Sequence, residues 1–262
     1  IAAVIPGAVD NILSDPFFPS LLHGMAVEAD NRDHFVMLSL GESGFRHTVD
    51  EVARQGVVAG IAFVAGQVDD PLLEPLVAAQ TPMVSVGRSD DDRVSYVDVD
   101  NRGSAQHITS HLLRLGHRRV ATVAGPSFAP ASVDRLAGYR AAIEAFGLRV
   151  DDKLITEGDF SEASGRSAMA ALLEHRPDAV FVASDRMAAG AMNAVRAAGL
   201  LLFVVFALKA ALAPLHLWLP GAYGHTSLPV AAMFAIMTKV GAYAILRVYS
   251  LLFGPDSGPA AG

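Results

Sequence analysis

Short apolar runs recur along the first two hundred positions, separated by stretches with helical spacing. The runs at 2–5, 35–40, 60–64, 83–86, 96–99, 120–124 and 179–182 lack the in–out alternation of a half-solvated strand. They predict strands covered on both faces. The intervening segments at 18–29, 71–79, 104–115, 133–146, 164–174 and 186–198 predict helices. Strand–helix alternation of this kind implies parallel sheets with right-handed crossovers, a doubly wound α/β architecture. After position 199 the pattern changes. Residues 200–220 (LLLFVVFALKAALAPLHLWLP) and 229–253 (PVAAMFAIMTKVGAYAILRVYSLLF) are nearly uniform apolar runs joined by a polar, glycine-containing turn. About 20 apolar residues suffice to cross a bilayer, so these predict an all-α transmembrane helical hairpin. Trp218, Tyr223 and Tyr249 fall near the ends of the spans, as interfacial aromatics do. A buried pair of soluble helices is the alternative.

Composition sharpens the division. Of the formal net charge of −7, the last sixty-two residues contribute +2, from Lys209, Lys239 and Arg247 against Asp256, so the first 200 carry −9. An acidic body argues against a nonspecific phosphate-binding surface. With no cysteine in the chain, disulfides, thiolate nucleophiles and cysteine metal sites are excluded. The N-terminus opens directly on a strand, without an initiator Met, basic segment or cleavage site, which implies residues upstream and no visible signal peptide.

In doubly wound folds, ligands lie beyond the carboxyl ends of the strands, so the segments after each strand are where chemistry is sought. Those segments hold no G-x-x-x-x-G-K-[ST] and no G-x-G-x-x-G after the first strand, which leaves a nucleotide cradle unsupported. Gly41-Glu42-Ser43-Gly44-Phe45 departs from a nucleophile elbow at its fifth residue. His107 and His111 have a zinc-like spacing, but Ile108 stands where the general-base Glu of H-E-x-x-H belongs, so surface histidines are the plainer reading. No acid–base pair, metal set or cofactor loop emerges. The expectation is a binding protein rather than an enzyme, with no cofactor.

An ordered set of motifs resembles the effector-binding domain of the LacI/GalR family of sugar-responsive repressors. These are Val97-Asp98-Val99-Asp100-Asn101-Arg102-Gly103, His111-Leu112, Leu115-Gly116-His117-Arg118-Arg119-Val120 and Ser132-Val133-Asp134-Arg135-Leu136-Ala137-Gly138-Tyr139. Glu157-Gly158-Asp159-Phe160-Ser161 and Ala183-Ser184-Asp185-Arg186-Met187-Ala188 complete it. The resemblance implies a periplasmic-binding-protein-like fold of two α/β lobes with a small polar effector, such as a sugar, in the cleft. Residues 1–115 would form the first lobe and 116–199 an incomplete second lobe with about three strands. By the same resemblance the candidate ligand-binding residues are Phe17, Phe18, Arg88, Asn101, Arg135, Phe160, Ser184 and Asp185. Each has a plainer alternative where one exists. Phe17 and Phe18 also suit a hydrophobic helix start, Asn101 or Asp185 a helix cap, and Arg135 a surface position. Arg88 ranks below the others, because Gly87 replaces the aspartate often found before it. The family's DNA-reading headpiece is not in the chain, so no direct nucleic-acid contact is expected. A homodimer and a cytoplasmic location for 1–199 are implied by the family.

The tail carries a second resemblance. Phe206-Ala207-Leu208-Lys209 through Pro214-Leu215-His216-Leu217-Trp218-Leu219-Pro220, with Thr238-Lys239-Val240-Gly241-Ala242-Tyr243, is similar to the antiporter-like subunits of Mrp sodium/proton antiporters and respiratory complex I. It implies a proton path through Lys209, His216 and Lys239, with residues 200–262 as two transmembrane helices of an inner, plasma membrane. A lysine in mid-span costs roughly 2.5–3.5 kcal/mol, which is why such residues mark ion paths. The helix holding the partner glutamate is absent, so the tail is not expected to transport. The join at Gly199-Leu200 has no linker, and it reads as a chimera of two interrupted folds, or alternatively as a membrane-tethered sensor.

Overall fold

The computed structural model describes residues 1–6, 15–41, 57–64, 66–71, 73–78, 80–89 and 91–209. Its elements in chain order are β1 (Ala2–Pro6), α1 (Phe17–Asp30), β2 (Met37–Gly41), β3 (Ile61–Val64), α2 (Leu73–Ala78), β4 (Met83–Val86) and β5 (Ser95–Val97). There follow α3 (Asn101–Arg114), β6 (Val120–Ala124), α4 (Pro130–Ala145), a 3-10 turn at Asp152–Leu154, β7 (Ile155–Glu157), α5 (Glu162–Glu174), β8 (Ala179–Val182) and α6 (Asp185–Lys209). The chain divides into two compact units, Ile1–Ala191 and Met192–Gly262.

Two parallel sheets organise the first unit. One has the order β2-β1-β3-β4-β5, with β1 pairing in register with both β2 and β3. The other has the order β7-β6-β8. The α/β, periplasmic-binding-protein-like fold is therefore present. The runs at β3 and β6 became strands for the expected reason, since every residue of both is buried. β5 corrects the expectation for 96–99: it is the edge strand of the first sheet, and all three of its residues are exposed. One face of the first sheet packs Ala2, Val4, Ile61 and Phe63 against Leu76 of α2. The other packs Ile5 and Val64 against Phe18, Leu21 and Leu22 of α1.

The second core joins Val120 of β6 to Leu113 of α3 and to Tyr139, Ala142 and Ile143 of α4. Burying each such aliphatic or aromatic side chain stabilises the fold by about 1.5–3 kcal/mol. α3 thus packs with the second sheet, and the chain crosses between the sheets at 98–100, ahead of the expected boundary near residue 115. Helices α3 and α4 approach closely because Gly138 lacks a side chain. A Cβ there would lie 2.2 Å from the Arg102 carbonyl oxygen and 2.9 Å from the Gln106 nitrogen.

Caps explain the helix starts. The Asp100 carboxylate accepts from the Gly103 N–H, Ser161 Oγ accepts from the Ser164 N–H, and Pro130 occupies the first turn of α4. Three of the differences from expectation have a clear local cause. β7 was not anticipated, because Ile-Thr-Glu is too short and polar to stand out. α3 begins three residues earlier than its apolar pattern, at the Asp100 cap. The third difference is α6, expected to stop before Gly199 but continuous to Lys209. Gly199 is not among the glycines with positive φ, so it does not form the left-handed C-cap that ends many helices. A glycine inside a helix costs only about 1 kcal/mol, and the leucines after it favour continuation.

Among the described residues no helix is long and apolar enough to cross a membrane. Most of the expected hairpin, with His216 and Lys239, lies outside those residues, as does the Glu42–Phe45 segment. Lys209 is the last residue of α6.

Candidate functional site

Three loops leave the carboxyl ends of the second sheet: Gly125–Ala129 after β6, Gly158–Ser161 after β7, and Ala183–Ser184 after β8. In a parallel sheet this is where a ligand is held. Arg135, on the second turn of α4, reaches into this region. Its Nε donates to Asn101 Oδ1 at 2.9 Å and its Nη1 donates to the Ala183 carbonyl at 2.6 Å. Burial pushes the Arg135 guanidinium below its ordinary pKa, while the charges of Asp98 and Asp185 act in the opposite direction. An arginine remains protonated in any case, so this is a partly desolvated cation that feels the charges of Asp98 and Asp185. Its remaining fork, Nη2, has no hydrogen-bond partner among the described residues.

Asn101 is buried and is not the cap of α3, since Asp100 takes that role. Its side-chain nitrogen donates to both Asp98 oxygens, at 3.0 and 3.1 Å, and to the Val99 carbonyl at 3.2 Å. Arg88, at the end of the first sheet's β4, pairs through Nε with Asp134 Oδ2 at 2.9 Å. Its backbone N–H donates to Asp98 Oδ2 at 3.0 Å. The Val68 N–H also donates to the Phe128 carbonyl at 2.8 Å. The Arg88–Asp134 pair and the Val68–Phe128 hydrogen bond thus bridge the loops of the two sheets, while the Arg88–Asp98 bond ties the end of β4 to the end of its neighbour β5.

Phe160 adopts φ 68°, a left-handed conformation rarely taken by an aromatic residue, and such backbone strain concentrates at functional sites. Its ring lies over Gly125. A Cβ on that glycine would fall 2.5 Å from Phe160 Cε1 and 2.4 Å from Ser132 Oγ. Ser132 is buried, and its hydroxyl has no hydrogen-bond partner among the described residues. Beside Phe160, the Asp159 carboxylate is held down to about 2 by hydrogen bonds from Ser161 and Ser164. Ser184 Oγ accepts from the Met187 N–H at 3.3 Å, so Ser184 caps α6. Asp185 begins α6 and is exposed.

The structure therefore brings Asn101 onto the Arg135 guanidinium, within the electrostatic influence of Asp185, with Phe160 and Ser184 on neighbouring loops of the same sheet. Arg88 comes from the first sheet, and its guanidinium engages Asp134. Phe17 and Phe18 lie at the start of α1, beyond β1. Their rings meet edge to face at 5.3 Å, with Phe17 53% exposed and Phe18 packed into the first core. The Asp15 carboxylate accepts from the Phe17 N–H at 2.9 Å, so the helix-start reading describes Phe18 and leaves Phe17 outward. His107 and His111 are exposed on α3, and among the described residues no metal-binding group of side chains occurs. Sequence reasoning passed over Asp98, Asp134 and Ser132. All three lie within the motifs that carry the resemblance, Asp98 three residues before Asn101 and Asp134 directly before Arg135, but nothing in the motifs marks them as partners of those residues.

Residues 4–205 match the family described as periplasmic binding proteins and sugar binding domain of LacI family. Residues 167–261 match the transmembrane family of NADH:quinone oxidoreductase and Mrp antiporters, so the two matches overlap. The HTH-type transcriptional regulator CelR of Thermobifida fusca is 38% identical over 205 residues, covering 76% of this chain and 60% of that protein. The regulator AglR of Rhizobium meliloti is 34% identical, covering 76% of this chain and 57% of its own. The chain thus spans under two thirds of the length of these relatives. Among solved structures, a transcriptional regulator CelR–cellobiose complex superimposes with a TM-score of 0.70 at 30% identity, covering 94% of this chain and 78% of the other. A LacI-family regulatory protein from Chloroflexus aggregans gives 0.66 at 27% identity, covering 76% and 73%.

Proposed function

The chain belongs to the LacI family of sugar-binding domains, and from that premise we propose that residues 1–199 bind a small polyhydroxylated effector between the two sheets. The observation that carries this reading is Arg135. A cation fixed on two sides, partly desolvated, and left with one free fork is built to donate to hydroxyl oxygens. Asp185 supplies an acceptor of opposite charge nearby. Phe160 and the outward Phe17 supply the apolar faces on which a pyranose ring stacks. Asn101, Ser184 and Arg88 complete the lining, Arg88 by holding the sheets together.

Because the CelR structure carries cellobiose, that disaccharide is the first candidate effector. The regulatory role belongs to a longer protein with a DNA-reading segment and a second copy, which the family resemblance supports. Binding rather than catalysis, in the cytoplasm, is part of the same proposal.

Calorimetric titration of the full chain with cellobiose and related glucosides tests it. Saturable binding is expected, weakened at least tenfold in Arg135→Ala, in keeping with a charge-assisted hydrogen bond worth about 1.5–3 kcal/mol. No heat with any sugar, or undiminished binding by Arg135→Ala, refutes the reading.

A second reading concerns the tail. The match over 167–261 favours an antiporter-derived segment after residue 200, joined to the effector domain. Its lysines, Lys209 and Lys239 with His216, would then be remnants of a proton path. Membrane flotation of the expressed chain tests insertion. Recovery in the soluble fraction without detergent excludes it.

A further inference from the structure

The orientation of Asn101 is decided by its neighbours and not by its own side chain. Its amide nitrogen faces three acceptors, the two oxygens of Asp98 and the Val99 carbonyl, while its oxygen faces a donor, Arg135 Nε. Reversing the amide would set oxygen against carboxylate and N–H against N–H, so a single arrangement satisfies both sides. Asp98 itself is held where the chain crosses between the sheets. Its Oδ1 accepts from the Val99 N–H at 2.7 Å, and its Oδ2 accepts from the backbone N–H of Arg88 at 3.0 Å.

We propose that Asp98 is the positioning residue of the cleft: it locks the Asn101 amide, and through it the Arg135 guanidinium, to the crossover between the two sheets. A buried asparagine pinned in this way works as a rigid spacer. It transmits the position of the first-sheet backbone at Arg88 to a cation packed on the second sheet. Any change in the angle between the sheets that moves Arg88 must then be felt at Arg135, whose free fork faces the effector. Asp98 needs no contact with the effector to do this. The proposal rests on the effector reading for its biological use, but its geometry stands without a ligand.

The test follows the Arg135 Nε–H by nuclear magnetic resonance in the full chain, the resonance being assigned by its loss in Arg135→Lys. In Asp98→Asn, an amide cannot present acceptors to Arg88 and Asn101 together, so the Asn101 side chain loses its fixed orientation. Exchange of the Arg135 Nε–H with solvent should quicken about tenfold, the factor expected for losing one charge-assisted partner. The cellobiose dissociation constant should rise by a similar factor. Adding Asn101→Ala to Asp98→Asn should change neither quantity beyond Asn101→Ala alone. Amide protection in β6 reports that the fold is intact; if Asp98→Asn loses it, Asp98→Ser is read in its place. Wild-type exchange in the Asp98 variant, alongside faster exchange in Asn101→Ala, overturns the proposal. So do additive effects of the two substitutions. A wild-type protein with no affinity for cellobiose removes the effector reading alone, because the exchange measurement needs no ligand.

Discussion

Arg88 Nε lies 2.9 Å from Asp134 Oδ2, which ties the end of β4 in the first sheet to the helix packed on the second. Both side chains are partly buried, with 33% and 24% of their surface exposed. Such a pair is worth more than a fully solvated one but remains on the order of 1 kcal/mol. A double-mutant cycle of Arg88→Ala and Asp134→Ala, read by urea unfolding, should return a coupling of about that size. It should shrink in molar salt. The cycle is needed because Arg88 has further interactions, so the single variant overstates the pair. A coupling indistinguishable from zero would show that the sheets are held together by the Asp98 crossover and the Val68–Phe128 hydrogen bond without help from the ion pair.

Tyr139 should make the protein sensitive to alkali. Its hydroxyl donates to the Val120 carbonyl at 2.8 Å inside the second core. Burial raises its pKa to about 12, from an ordinary value near 10. The folded state holds this proton more tightly than the unfolded one. The contribution is therefore fully present below pH ~10 and is lost as pH rises through the folded value. Two pKa units correspond to a stability loss on the order of 3 kcal/mol across that window. Tyr139→Phe should cost about 1 kcal/mol at neutral pH through the lost hydrogen bond and should flatten the decline between pH 10 and 12. Unchanged alkaline unfolding in that variant would rule out Tyr139 as its source.

Gly138 to alanine should destabilise, although alanine is the better helix former by about 1 kcal/mol. The added methyl would fall 2.2 Å from the Arg102 carbonyl oxygen, a backbone atom that cannot move without shifting the whole of α3. Forced overpacking costs about 1–3 kcal/mol, and here the helix start that carries Asn101 is what must give. A lowered melting temperature with weakened sugar binding is expected; a stabilised variant would mean that α3 and α4 separate easily.

Much of the architecture was legible because strands buried on both faces leave uninterrupted apolar runs, as Ile61–Val64 and Val120–Ala124 do. Arg135 was reachable through its motif. What escaped depended on pairings distant in sequence. Nothing local marks Asp134 as the partner of a residue 46 positions earlier, and Asp98 looks like one more acid in an acidic run. The helix through Gly199 escaped for another reason: glycine ends a helix only when its backbone turns left-handed, and composition does not reveal that. Phe160 belongs in the same class, since its unusual φ is visible only once β7 and α5 are in place.

That φ leads to a prediction that separates stability from binding. A non-glycine residue at φ 68° carries a backbone cost on the order of 1 kcal/mol, which Phe160→Gly would relieve. The same substitution removes the ring from over Gly125, giving back a comparable amount of packing. The two effects nearly cancel, so the melting temperature should move by only a few degrees. Binding has no such compensation if the ring forms a wall of the cleft. The affinity for cellobiose should fall about tenfold in Phe160→Gly, a typical loss for an aromatic contact with a ligand. Gly125→Ala attacks the same surface from beneath, since its methyl would meet the ring at 2.5 Å and the Ser132 hydroxyl at 2.4 Å. It should displace Phe160 and weaken binding as well, this time with a loss of stability. Phe160→Gly binding cellobiose as tightly as the parent chain would remove the ring from the site and leave its strained backbone as a feature of the α5 cap.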